Sequence, residues 1–298
     1  MARPCASFLP YIVLAAFRML KTVTLLALAL VGGVLAGEKS TGCGKAPSKF
    51  STTKALTISV NGKNRQFTVR VPEKYNKDTP YRLVFSWHQL NSNMNENVNG
   101  GDTNKGGALA YYGLPPLSNG TAIFVAPDGL NKGWGNSGGE DVLFFDAMLK
   151  AVSEDMCVDL GLVFSTGFSY GGAMSYALAC ARAEVLRAVA IISGAPLSGC
   201  TGGTKPIAYY GQHGTSDSVL NVSMGRQIRD KFVKNNGCTA LASEPQPGQN
   251  SVKTDYKGCK DGYPVEWVIH KGDHNPSQKD GNTIFAPGNT WAFFSQFK

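Results

Sequence analysis

Short runs of apolar residues alternate along the chain with segments whose apolar residues recur every three or four positions. The runs predict buried strands at 81–87, 122–126, 162–166, 188–192, 207–210 and 265–270. The periodic or Ala-rich segments predict helices at 141–153, 173–183, 222–234 and 291–297. Strands that alternate with helices indicate an α/β fold with a mostly parallel sheet and helices on both faces.

The start of the predicted domain has a different pattern. Residues 55–60 and 66–71 flank an Asn-Gly dipeptide, which favours the left-handed backbone angles of a tight turn. We therefore predict an N-terminal antiparallel hairpin at one edge of the sheet. Residues 88–107 are rich in Asn and Gly and predict a loop. Because no repeat or Pro/Ser-rich linker interrupts the pattern, we expect residues 37–298 to form a single domain.

Two apolar stretches precede this domain. The second, residues 23–36, follows Lys21 and ends in small residues with a plausible cleavage site after Ala36, which is typical of a signal peptide. We expect residues 1–36 to be removed during export, residues 1–18 being either a long leader or the result of a start codon placed too early. A signal anchor is the alternative, although the apolar segment is short for a bilayer span.

Cysteine usage agrees with export. One of the seven cysteines, Cys5, falls in the leader, and the other six show no C-x-x-C spacing. An even number without that spacing favours three disulfides over a zinc or redox site, with fifteen connectivities possible. Closeness in sequence favours the pairs Cys180–Cys200 and Cys238–Cys259. The remaining two cysteines then predict a third pair, Cys43–Cys157.

Composition excludes several classes of protein. Hydrophobic residues are 43% and charged residues 17% of the chain, which excludes a disordered protein and a charged coiled coil. The net charge of +8 falls by three on removal of the leader, and no basic run supports nucleic-acid binding. We expect a secreted monomer with no nucleic-acid or membrane partner. Asn119 and Asn221 stand in glycosylation sequons.

Two segments match the pattern G-x-S-x-G of a nucleophilic serine. Ser169 follows a predicted strand and precedes a predicted helix, which is the context that a nucleophile elbow requires. Ser137 follows a turn sequence, and we interpret it as a loop residue. Glycines two positions before and after the serine are needed because the sharp turn leaves no room for side chains. We therefore predict that Ser169 is the nucleophile.

The order serine, acid, histidine of the α/β-hydrolase fold limits the choice of partners. His274 lies in a loop just past the last predicted strand and is our candidate base; His270, within that strand, and His213 are the alternatives. Asp217 follows the strand at 207–210 through a Gly-containing loop, where it could orient the base. Its alternative role is the N-cap of the next helix.

An oxyanion hole needs two backbone amides. The amide after the nucleophile belongs to Tyr170, and the loop after the strand at 81–87 offers that of Leu90. His88 would then support this loop without titrating in catalysis.

Longer stretches around these residues resemble a known family. The segments are Phe164 to Met174, reading FSTGFSYGGAM, with Ala126-Pro127-Asp128-Gly129 and Gly133-Trp134 upstream. They resemble the secreted feruloyl esterases of carbohydrate esterase family one, of the type B, cinnamoyl-ester kind, over nearly all of the mature chain. The family's serine, aspartate and histidine fall on Ser169, Asp217 and His274. Gln89 departs from the His-Gly of related branches.

The resemblance implies release of ferulic or p-coumaric acid from arabinoxylan or pectin through an acyl-enzyme, with no metal or cofactor. Trp134, His88 and Gln89 would line the substrate pocket, although Trp134 could instead be an ordinary packing residue. Related branches make an acetyl xylan or polyester esterase the alternative function. A non-catalytic carbohydrate-binding protein and a peptidase are further alternatives, since acyl-transfer machinery alone does not specify the ester.

Overall fold

A nine-stranded sheet forms the centre of the computed structural model, which describes residues 38–50 and 54–298. The expected signal peptide and Cys5 lie outside these residues. The strands of the sheet are β1 (Leu56–Val60), β2 (Lys63–Arg70), β3 (Tyr81–Trp87), β4 (Ala122–Pro127), β5 (Val158–Phe168), β6 (Ala188–Ile192), β7 (Ala208–Gly214), β8 (Val252–Asp255) and β9 (Val265–His270). A separate ribbon pairs β10 (Lys279–Asp280) with β11 (Thr283–Ile284).

The strand order is β1-β2-β4-β3-β5-β6-β7-β9-β8. The six strands from β4 to β9 in this order are mutually parallel, as the apolar runs predict. The predicted hairpin is present as β1 and β2 and pairs antiparallel with β4 at one edge. Strand β8 adds a second antiparallel edge beside β9. The carboxyl ends of the parallel strands therefore meet along one rim of the sheet.

Helices cover both faces of the sheet. The helices are α1 (Met94–Asn99), α2 (Leu114–Ser118), α3 (Glu140–Asp155), α4 (Tyr170–Ala181), α5 (Val222–Asn235) and α6 (Phe285–Ser295). Side chains of α3, α4 and α5 pack in the larger core cluster on one face, whereas α1, α2 and α6 contribute to the cluster on the other. This is the α/β-hydrolase fold. In the described part of the chain, no helix is long and apolar enough to cross a membrane.

Several predicted bounds need correction. The segment 88–107 is not all loop, because α1 forms within it with Asn93 as N-cap, accepting from the amide of Glu96. Helix α6 begins at Phe285, six positions before the predicted start. Pro287 lies in its first turn, where a missing amide hydrogen costs nothing. Strand β8 was not predicted, because its residues are short of apolar side chains.

The three disulfides pair as predicted. Cys43–Cys157, Cys180–Cys200 and Cys238–Cys259 are all formed. The first joins residues 114 positions apart and ties the N-terminal segment to the end of α3 and the start of β5. The other two join residues 20 and 21 positions apart, and they close the segments that contain β6 and β8.

Candidate active site

Ser169 occupies a sharp turn between β5 and α4. Its backbone has φ 56° and ψ −119°, a conformation that costs a non-glycine residue about 1–3 kcal/mol. A Cβ on Gly167 would lie 2.4 Å from the backbone of Gly171, and a Cβ on Gly171 would lie 2.0 Å from the carbonyl oxygen of Trp87. Backbone atoms cannot move aside as a flexible side chain can, so both positions require glycine. The local structure is the strand, turn and helix of a nucleophile elbow.

The second G-x-S-x-G match has none of these features. Ser137 starts a single 3-10 turn, Ser137–Gly139, and its side chain is exposed. No strand leads into it, and within residues 54–298 its hydroxyl has no hydrogen-bond partner that would activate it. Ser137 is a loop residue, as interpreted.

The structure brings Ser169, His274 and Asp217 into one chain of hydrogen bonds. Nε2 of His274 lies 2.8 Å from Oγ of Ser169, and Nδ1 of His274 lies 2.8 Å from Oδ2 of Asp217. An ionised carboxylate only accepts, so Nδ1 carries the proton and Nε2 accepts from the serine hydroxyl. The side chain of Asp217 is fully buried and that of His274 is 10% exposed. The acid is therefore shielded from solvent, whereas Ser169 is 9% exposed.

A turn after β7 presents Asp217. Its Oδ1 accepts from the amides of Val219 and Leu220 at 3.0 and 2.7 Å. Its Oδ2 lies 3.2 Å from Nε2 of His213, in addition to the contact with His274. Burial alone would raise the pKa of Asp217, but hydrogen bonds from His213, His274 and Leu220 outweigh it and hold that pKa well below its ordinary value. Asp217 is therefore ionised at neutral pH.

The structure does not support the alternative roles, which were Asp217 as the N-cap of α5 and His270 as the base. Asn221, not Asp217, is the N-cap of α5, since its side chain accepts from the amide of Ser223. His270 is buried at the end of β9, where its Nδ1 accepts from the amide of Gly272 at 3.1 Å. Burial lowers the pKa of His270 to about 4. His270 thus shapes the turn that leads to His274.

A contact between two loops, which the sequence analysis missed, aligns the acid with the base. The carboxylate of Asp273 accepts from the amide and the hydroxyl of Ser218, at 2.7 and 2.8 Å from Oδ1. It also accepts from the amide of His274 at 2.7 Å. Ser218 follows Asp217, so this exposed carboxylate joins the turn of the acid to the loop of the base. The ring of Phe168 packs 4.5 Å from the imidazole of His274, centroid to centroid.

The two backbone amides predicted for an oxyanion hole are free to donate within the described residues. Gly171 lies against the carbonyl oxygens of Trp87 and His88, which brings the start of α4 beside the loop after β3. Among the residues that the structure describes, the amides of Tyr170 and Leu90 have no hydrogen-bond acceptor. Both are the amides predicted for an oxyanion hole.

Buried side chains hold the loop that carries Leu90. Nδ1 of His88 donates to the carbonyl oxygen of Gln89 at 2.7 Å, and its Nε2 accepts from the amide of Gly129 at 3.0 Å. Nε1 of Trp134 donates to the carbonyl oxygen of His88 at 2.7 Å. Burial lowers the pKa of His88, so its ring is neutral at physiological pH. Hydrogen bonds between uncharged groups therefore hold the loop on its buried side.

This arrangement corrects two expected substrate contacts. Trp134 is fully buried and supports the loop instead of offering a surface to a ligand. His88 is 1% exposed and lies in the wall of a small cavity, but both of its ring nitrogens are taken up by hydrogen bonds to the backbone. Gln89 is half-buried and lines a cavity of about 160 Å³ that Tyr112 also lines. The hydroxyl of Tyr112 donates to the carbonyl oxygen of Trp87 at 2.7 Å. No sequence signal indicated Tyr112, because its proximity depends on the path of the loop before α2.

The site contains the parts of an acyl-transfer centre. A serine hydroxyl is hydrogen-bonded to a base, the base is oriented by a buried carboxylate, and the amide of Tyr170 lies at the N-terminus of α4 without an acceptor among the described residues. Between residues 54 and 298, no three or more His, Cys, Asp or Glu side chains are grouped to hold a metal ion.

Solved structures of other proteins have a fold similar to that of this chain. An acetyl xylan esterase from Aspergillus awamori matches with a TM-score of 0.58 and 14% identity, covering 81% of this chain and 99% of that one. A ferulic acid esterase from Anaeromyces mucronatus matches with a TM-score of 0.56 and 18% identity, covering 83% and 90%. At these identities the likeness establishes the architecture alone.

Relatives among characterised proteins are much more similar in sequence. The chain is 56% identical to feruloyl esterase D of Neurospora crassa over 93% of this chain and 97% of that protein. It is 42% identical to feruloyl esterase C of Emericella nidulans, over 93% and 99%. No family model matches the chain. Similarity of this extent across the whole of both proteins shows that this chain belongs to the feruloyl esterases, which are carboxylic ester hydrolases.

Proposed function

We propose that this enzyme releases ferulic and p-coumaric acid from the arabinoxylan or pectin of plant cell walls, through an acyl-enzyme on Ser169. The observation that supports the chemistry is the chain of two 2.8 Å hydrogen bonds from Ser169 through His274 to Asp217. The names of the relatives, feruloyl esterases C and D, support the substrate. Neither Trp134 nor His88 takes part in this proposal as a substrate contact.

In the first half of the reaction, Oγ of Ser169 attacks the ester carbonyl while Nε2 of His274 takes the hydroxyl proton. The tetrahedral intermediate collapses, the bond to the sugar oxygen breaks, and His274 returns the proton to that oxygen. In the second half, water attacks the acyl-serine while His274 takes a proton from it; the bond to Oγ then breaks, His274 returns the proton to Oγ, and the free acid leaves. Asp217 holds the tautomer of His274 and stabilises its imidazolium form.

The amides of Tyr170 and Leu90 bind the oxyanion in both halves. They are unpaired in the structure, and a donor of this kind is worth about 3–4 kcal/mol of transition-state stabilisation. The acyl group would extend toward the cavity lined by Gln89 and Tyr112.

The leader sequence and the disulfides support a location outside the cell. We infer that residues 1–36 are a cleaved signal peptide and that the mature enzyme is a secreted monomer. Three disulfides within the described residues support an oxidising compartment. Asn119 and Asn221 are both exposed, which makes both sequons available for glycans.

Replacing the nucleophile tests the proposal, and the chain offers a matched control. We expect Ser169→Ala to lower kcat on methyl ferulate by on the order of 10⁴-fold or more. Ser137→Ala, in the other G-x-S-x-G match, should leave kcat and KM unchanged. Equal thermal unfolding of the two variants would show that both are folded. Retained turnover by folded Ser169→Ala would refute the assignment, and faster hydrolysis of acetylated xylan than of methyl ferulate by the wild type would favour the alternative substrate.

A further inference from the structure

A second histidine contacts the carboxylate that orients the base. Nε2 of His213 lies 3.2 Å from Oδ2 of Asp217, the same oxygen that accepts from His274. Nε2 of His213 also lies 2.7 Å from the carbonyl oxygen of Leu220. Both acceptors belong to the turn that presents Asp217, so His213 bridges the first and last residues of that turn.

The surroundings of His213 fix its protonation. A carbonyl oxygen accepts only, so Nε2 of His213 carries a proton and shares it between Leu220 and Asp217. Nδ1 of His213 is buried and has no hydrogen-bond partner among the described residues. The Nε2–H of His213 is therefore a donor with one defined orientation.

The packing around the ring keeps it in this orientation. His213 is fully buried in β7, and the indole of Trp267 on β9 is stacked 6.4 Å away. On the side of α5, Gly225 makes room for the ring, since a Cβ there would lie 2.3 Å from Nδ1 of His213. The helix glycine is thus explained by the ring that it accommodates.

We propose that His213 is a positioning residue of the esterase: its Nε2–H holds the Asp217 carboxylate in the rotamer in which Oδ2 orients His274. This inference rests on the proposed function, because it acts through the same three residues. Without His213, Oδ2 would keep one donor in place of two, and the turn from Asp217 to Leu220 would lose its bridge to the strand.

The other charged and titratable groups around His213 are few. His270 lies on the adjacent strand β9 and is neutral above a pH of about 4. Arg229 of α5 lies 5.2 Å from the centre of the Trp267 ring and is paired with Glu244. Asp217 is therefore the charged group within hydrogen-bond distance of His213.

Loss of the His213 donor should change the pH dependence of kcat/KM. A carboxylate with fewer donors attracts a proton on the neighbouring imidazole more strongly. His274 must be neutral to accept the serine proton, so more of it would be in the inactive, protonated form at low pH. The acid limb of the kcat/KM profile should then move to higher pH, which a purely structural role of His213 would not cause.

The experiment compares two substitutions on methyl ferulate across a range of pH. His213→Phe keeps the ring shape and removes the donor, and we expect kcat to fall on the order of ten- to a hundred-fold with KM nearly unchanged. His213→Gln places an amide N–H at a similar reach and should recover most of kcat and the wild-type acid limb. Tyr209→Phe, which removes a buried hydroxyl without a partner from the same strand, serves as the control with unchanged kinetics.

The outcomes separate this inference from the proposed function. If Ser169→Ala is inactive but His213→Phe retains wild-type kcat and an unmoved acid limb, the role of His213 is refuted and the proposed function stands. The role of His213 is also refuted if His213→Phe lowers kcat, His213→Gln does not restore it, and the acid limb of the kcat/KM profile does not move. If His213→Phe fails to fold, His213→Asn replaces it, because the shorter amide cannot reach Asp217 and should show the same loss relative to Gln.

Discussion

At the scale of single residues, the site depends on a backbone that few residues tolerate. Ser169 is held at a positive φ of 56°, and the strain persists because α4 is packed against the end of β3. The closest point of this packing is Gly171, whose missing side chain lets the helix lie on the carbonyl oxygens of Trp87 and His88. The glycine of the motif thus has a definite physical role.

Adding one methyl group at that point should break the packing. In Gly171→Ala the new Cβ would lie 2.0 Å from the carbonyl oxygen of Trp87, a backbone atom that can move only with its strand. We expect a loss of about 3 kcal/mol or more in the free energy of unfolding, measured by urea denaturation. Gly288→Ala is the matched control, also in a helix, with nothing within 4 Å of its Cβ. It should be neutral or stabilising by up to about 1 kcal/mol.

Equal stability of the two variants would contradict this explanation of the motif. It would mean that α4 can slide along β3 at little cost, and that the second glycine of G-x-S-x-G is not required by sterics.

At the scale of elements, the loop from β3 to α1 is the part that positions the predicted oxyanion donor Leu90. It is anchored by the indole of Trp134, whose Nε1 donates to the carbonyl oxygen of His88. This anchor lies beneath the loop, out of contact with solvent. We therefore expect Trp134 to act on the reaction through the backbone that it holds.

The substitution Trp134→Phe separates support of the loop from contact with substrate. It removes the donor and leaves a buried carbonyl unpaired, which costs about 1–3 kcal/mol. We expect kcat on methyl ferulate to fall about tenfold or more while KM changes little. Trp291→Phe, at a partly exposed tryptophan of α6, should change neither. A raised KM with unchanged kcat would instead place Trp134 in contact with the substrate.

Elements with a strong apolar pattern could be predicted from sequence, and polar ones could not. Strands β3, β6 and β9 have the predicted bounds because continuous apolar runs end there at turn residues. Helix α1 was missed because its six residues are mostly Asn and Glu, and it is stabilised by its cap and by the burial of Met94. Tertiary contacts outweighed local preference in that case.

In the candidate site, too, some residues could be predicted from the sequence and others depend on tertiary contacts. Ser169, Asp217 and His274 could be chosen from the order of motifs along the chain, because each follows a strand of a known type of sheet. His213 could not be assigned a role, since it lies within a strand and its link to Asp217 exists only once the turn has closed. The support given by Trp134 and Tyr112 depends in the same way on where the loops meet.

At the scale of the whole molecule, the site exists only when the full sheet is assembled. The proposed nucleophile follows β5, the proposed acid β7 and the proposed base β9, and the predicted oxyanion loop follows β3. The rim of the parallel strands therefore brings together residues as far apart in sequence as Leu90 and His274. The disulfide Cys43–Cys157 ties the N-terminal segment to the start of β5. Catalysis by this centre therefore requires the native fold throughout.

The most direct test of this account is covalent labelling with diethyl p-nitrophenyl phosphate. A nucleophilic serine displaces p-nitrophenolate and keeps the diethylphosphoryl group, which can be located by peptide mass spectrometry. We predict release of one p-nitrophenolate per enzyme molecule, a label on Ser169 and parallel loss of methyl ferulate hydrolysis, with Ser169→Ala unlabelled. Inactivation with the label on another residue, or without any label, would contradict the central claim that Ser169 is the nucleophile.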